Sequence, residues 1–120
     1  MNHTVERHGE LAVVRLAGKI TVGNALEDVR AVVEDLIAGE CLCVVFDLEN
    51  VNFVDSAGLG EIVACHRSLD QLEGRLVLAS PRGKVKDLIE LTRIGELLPV
   101  FPSLGEAILA VSLDDDSEDD

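Results

Sequence analysis

An acidic residue and a hydroxyl stand side by side at Asp55-Ser56, where an apolar run gives way to a helical period. A serine at such a junction has two chemistries open to it. Asp55 or Ser56 can cap the helix, because a short oxygen-bearing side chain accepts from the free N–H groups of the first turn. The Ser56 hydroxyl is also reachable from solvent, where the N–H groups and the helix dipole tolerate an added anion. A third chemistry would make Ser56 a nucleophile with His66 as base and Asp55 or Asp47 as orienter. Ten helical residues put Ser56 and His66 roughly 15 Å apart, beyond hydrogen-bond reach, so this serine hydrolase reading fails on spacing. Gly58-x-Gly60 lacks the third glycine of a dinucleotide fingerprint and follows a polar turn, and Lys84 lies in no phosphate-loop motif. Cys41, Cys43 and Cys65 are too few and too scattered for a zinc site and read as ordinary thiols. No cofactor and no metal is expected.

The elements that must position these residues are legible in the periodicity. Thr4 to Leu16 reads as two strands around Gly9-Glu10, the second running Leu11 to Ala17, with a turn from Gly18 through Lys19, Ile20 and Thr21. A helix starts near Asn24, with Glu27 as a capping partner and Leu26, Val29, Val33, Leu36 and Ile37 on one face, and Gly39 stops it. Leu42 to Leu48 is an unbroken apolar run until Asp47, the pattern of a strand covered on both faces of a parallel sheet. A polar turn precedes the second helix, which opens at Asp55-Ser56 and turns Leu59, Ile62, Val63, His66 and Leu69 inward. Leu76 to Ala79 is another short buried strand. A third helix carries Val85, Leu88, Ile89 and Thr92 and ends at Gly95. Val100-Phe101 is a last strand, and Ser103 with Glu106 caps a final helix carrying Leu104, Ala107, Ile108 and Val111. The expected fold is one α/β domain over residues 1–113, with a mixed sheet, an N-terminal antiparallel hairpin, parallel central strands and about four helices.

The 120 residues suit a single domain, and 48% hydrophobic residues suffice for a core. A formal charge of −13 repels phosphate backbones and anionic membranes, and three phenylalanines as the only aromatics leave little to stack bases, so no nucleic acid and no membrane is expected as partner. Six acidic residues fall in the last seven positions, which leaves −7 for the rest. Residues 114–120 therefore read as an acidic disordered tail. With no leader and no apolar run long enough to span a bilayer, the expected location is cytoplasmic. Nothing in the composition fixes an oligomeric state.

The segment from Asp47-Leu48 through Asp55-Ser56-Ala57-Gly58-Leu59-Gly60 resembles the signature of the STAS domain: a buried strand ending in Asp-Leu, a polar turn, then Asp-Ser-x-Gly-Leu-Gly entering a helix. The likeness extends from Val5 to Val111 in the order of elements and in the Gly18, Gly74, Pro81 and Gly95 punctuation. A single domain of this length looks like a bacterial anti-sigma factor antagonist, an anti-anti-sigma factor. The resemblance implies a non-enzymatic protein whose Ser56 is phosphorylated by an anti-sigma factor serine kinase and restored by a PP2C-type phosphatase. It implies a partner surface at Asp55, Ser56, Ala57, Gly58, Glu61 and Thr21, with the unphosphorylated form binding the kinase and releasing a sigma factor. Many antagonists carry Gly-Glu-Leu-Asp after the second strand, whereas Gly18-Lys19-Ile20-Thr21 has no acid. A non-switching scaffold or adaptor subunit of a stress-sensing or transport complex is the alternative within the same fold.

Overall fold

The apolar runs and helical periods resolve into five strands and four helices in the computed structural model, which describes residues 2–23 and 26–118, the last six of them as backbone only. In chain order they are β1 (Asn2–His8), β2 (Leu11–Ile20), α1 (Leu26–Ala38), β3 (Cys43–Val54), α2 (Ser56–Gln71), β4 (Arg75–Ala79), α3 (Gly83–Thr92), a 3-10 turn (Ile94–Glu96), β5 (Val100–Phe101) and α4 (Leu104–Glu118). The sheet order is β1-β2-β3-β4-β5. The first pair is antiparallel and the other three are parallel. This is the mixed α/β sheet expected from the alternation.

Period-two alternation divides the core into two layers. Ala12, Val14, Leu16, Val44, Phe46, Leu48, Leu76 and Leu78 face Val29, Val33 and Leu36 of α1, Ile62 and Leu69 of α2, and Val85 and Ile89 of α3. Leu11, Val13, Val45, Val77 and Ala79 face Ala107 and Val111 of α4. Both faces of β3 and β4 are therefore covered, which is why Val44 to Leu48 reads as one continuous apolar run. Asp47 breaks that run chemically but not structurally. It is buried, and its Oδ1 accepts from the Glu49 N–H at 3.1 Å.

Several boundaries differ from the sequence reading. The turn expected at Gly18 to Thr21 is still strand to Ile20, with Gly18 at φ 96° and a register shift between Gly18 and Lys19. The polar turn expected after Leu48 is likewise the second half of β3, whose polar side chains alternate with buried Val51 and Val54. At the end of α1 the left-handed residue is Glu40 (φ 60°), one beyond Gly39, because Cys41 N–H donates to Leu36 O and Glu40 N–H to Ile37 O in a Schellman closure. The third helix stops at left-handed Arg93, before Gly95. Asn24, the expected cap of the first helix, lies outside the described residues.

The backbone of α4 runs on to Glu118 along the acidic end, past its anchors at Ala107 and Val111. Its start is as read: Ser103 Oγ accepts from the Glu106 N–H at 3.2 Å and lies 3.1 Å from the Glu106 carboxylate.

Candidate functional site

β3 delivers the chain to Asp55, which takes extended angles and caps α2, and Ser56 follows as the first helical residue. The Asp55 carboxylate joins two elements. Its Oδ1 accepts from the Gly58 N–H at 2.7 Å, inside the helix it caps, and its Oδ2 accepts from the Val22 N–H at 3.0 Å, in the segment that leaves β2. The Asp55 N–H in turn donates to Ile20 O at 3.3 Å. The Gly58 N–H, then the Val22 N–H, hold the Asp55 carboxyl below the usual aspartate range, so it is ionised at neutral pH.

Gly58 completes the junction from beneath. A Cβ at this position would overlap the carbonyl oxygen of Ile20, so the first turn of α2 lies directly on the backbone end of β2. Ser56 is thereby fixed on an exposed corner, with Thr21 half-buried between the two residues that bond to Asp55. Two apolar side chains flank the corner: Val22 is 69% exposed and Phe53, at the end of β3, is 45% exposed. Neither stood out in the sequence, because a lone valine after a strand and a phenylalanine beside Val54 both look like core. The readable signal was Phe53's place in the polar half of β3, directly after Asn52.

Two residues expected on the outward face are turned inward, and this corrects the sequence reading of the surface. Gly58 is buried against Ile20 and offers no room for an incoming backbone. Glu61 is 6% exposed and pairs across to α1, where Arg30 approaches at 2.6 Å through its terminal nitrogen and at 3.4 Å through Nε. The covered face of α2 is rotated toward α1, so Cys65 is buried although the expected inward set was Leu59, Ile62, Val63, His66 and Leu69. Burial, reinforced by the Glu61 charge, pushes the Cys65 thiol up to about 12 and leaves it inert at neutral pH. His66 is half-buried, and its Nδ1 has no partner among the described residues. Ser56 and His66 share α2 ten residues apart, about 15 Å along the axis, and form no nucleophile–base pair. Among the described residues, no cluster of three or more His, Cys, Asp or Glu side chains is placed to hold a metal, and no helix is long and apolar enough to cross a membrane.

The family model described as the STAS domain matches residues 2–107. The anti-sigma F factor antagonist of Lysinibacillus sphaericus is 29% identical over 87 residues, spanning 72% of this chain and 74% of its own. An anti-sigma factor antagonist structure from Mycobacterium paratuberculosis superposes with a TM-score of 0.80 at 28% identity, covering 92% of this chain and 93% of that one. SpoIIAA of Bacillus has been solved unphosphorylated and phosphorylated. Each form matches with a TM-score of 0.71 at 25% identity, over 92% of this chain and 98% or 99% of its own.

Proposed function

The chain belongs to the STAS domain family, and from that premise we propose that it is an anti-sigma factor antagonist switched at Ser56. The unphosphorylated protein binds an anti-sigma factor serine kinase and so frees a sigma factor. Phosphorylation of Ser56 by that kinase ends the binding, and a PP2C-type phosphatase restores it. ATP belongs to the kinase, and no catalytic step falls to this chain.

The observation that carries the proposal is the placement of Ser56, an exposed hydroxyl on the first residue of α2, held rigidly by the Asp55 and Gly58 contacts. A phosphate there adds about −1.5 to −2 charges beside an ionised carboxylate. The helix N-terminus stabilises the anion within the fold, while any docked partner has to bury a solvated dianion next to Asp55. The switch thus blocks a surface and leaves the domain in place. The equal match to the phosphorylated and unphosphorylated SpoIIAA structures supports a modification that the fold absorbs. The surface comprises Ser56, Asp55, Ala57 and Thr21 with the apolar flanks Val22 and Phe53, while Gly58 and Glu61 support it from within.

The test is the intact mass of the protein purified from its own cells, with Ser56→Ala alongside. One phosphoryl group, mapped to Ser56 and missing from the variant, is the expected result. A protein that never carries phosphate on Ser56 under any growth condition would favour the non-switching scaffold.

A further inference from the structure

The sheet order begins at β1, so among the described residues no strand lies beyond the outer row of N–H and C=O groups on that strand. All seven residues from Asn2 to His8 are exposed. Their pairing with β2 runs from Asn2↔Ala17 to His8↔Leu11 without a register shift, so alternate residues direct their peptide groups outward in a regular row. Folded proteins protect such edges with proline, charged side chains, a bulge or brevity; β1 has no proline, no lysine and no bulge, and its two charges, Glu6 and Arg7, are opposite in sign. The opposite edge is protected: β5 is two residues long and lies between Pro99 and Pro102.

The geometry points to a second copy of this chain as the occupant of the β1 edge, paired antiparallel about a two-fold axis through Val5. Charge selects both partner and register. In a protein of net charge −13, β1 carries one acid, Glu6, against one base, Arg7, and is a neutral stretch on which two copies can meet. Centring on Val5 sets Val5 against Val5, Glu6 against Thr4, Arg7 against His3 and His8 against Asn2, using all seven residues with no carboxylate opposite another. Centring on Glu6 or Arg7 opposes two like charges directly, and centring on Thr4 pairs only five residues. Glu6 is further neutralised within its own copy by Arg15 at 3.5 Å and lies 3.6 Å from His8. Val5, 41% exposed in the single chain, is covered by its counterpart. One strand edge buries less than a standard interface, so the dimer is weak and reversible. Because the two bodies repel, salt tightens it, the opposite of an interface made of ion pairs.

Sedimentation velocity of the full chain over a concentration series, at low and high salt, is the first measurement. The expected result is a monomer–dimer equilibrium that shifts toward dimer as salt rises. Val5→Lys places two ammonium groups across the axis and should raise the dimer Kd at least about tenfold with an unchanged melting curve. Val5→Cys brings two Cβ atoms to about 4.5–5.5 Å and should give a covalent dimer on mild oxidation, whereas Leu109→Cys, exposed on α4, should not. A chain that stays monomeric at every concentration and salt overturns the inference. So does a dimer whose Kd ignores Val5→Lys, which would place the contact elsewhere, for instance at the cleft of about 560 Å³ between α3 and β5. A β1 edge that binds a foreign extended peptide while the chain itself stays monomeric would overturn the choice of occupant.

Discussion

At the scale of single residues, the Asp55 carboxylate is the joint between the Ser56 turn and the end of β2, since it accepts one N–H from each. Its folded pKa is depressed, so the stability it contributes is present above the ordinary aspartate value of about 3.9 and is lost as pH falls through the lower folded value. Asp55→Asn keeps one acceptor for Gly58 but turns an amide NH₂ toward the Val22 N–H or forfeits that bond. Its melting temperature should lie below wild type at neutral pH, and the gap should narrow as pH falls below the ordinary aspartate value of about 3.9. Melting curves across that range check this, and a gap independent of pH would contradict it. The same scale shows why Glu61 misled. A glutamate one turn into a helix reads as solvent-facing, and its partner Arg30 lies 31 residues away on another helix, beyond any local period.

At the scale of elements, the contact between α2 and β2 governs where Ser56 stands. Gly58→Val should lower stability to urea by about 1–3 kcal/mol, because the added carbons meet backbone that cannot move aside. Gly60→Ala, two residues on, meets nothing within 4 Å and should be neutral or stabilising by up to about 1 kcal/mol. Equal effects at the two positions would contradict the packing described. The glycines of this motif are thus not equivalent, and sequence pattern could not distinguish them. What pattern could read was the buried strands, whose apolar runs are continuous because helices cover both faces, and the Asp55-Ser56 helix start, whose signal is local. The lengths of β2 and β3 were not legible. Both continue through polar residues and a glycine because ladder pairing with each other, from Ala17↔Asn50 to Ile20↔Val54, overrides local turn propensity.

At the scale of the whole molecule, a charge of −13 favours basic partners and steers encounter with them. The helix that carries the acidic end is anchored by Ala107 and Val111, both before residue 114. Deleting residues 114–120 should leave the melting temperature nearly unchanged while weakening the salt dependence of association with a basic partner, and a large loss of thermal stability would contradict that division. Ser56 stands on the corner made by Asp55 and Gly58, where its phosphorylation state decides docking. The most direct test is calorimetric affinity for the anti-sigma kinase, measured with the unphosphorylated chain and with the chain phosphorylated on Ser56. The phosphorylated form should bind at least about tenfold more weakly, since a desolvated dianion beside Asp55 opposes docking. Equal affinities would contradict the switch.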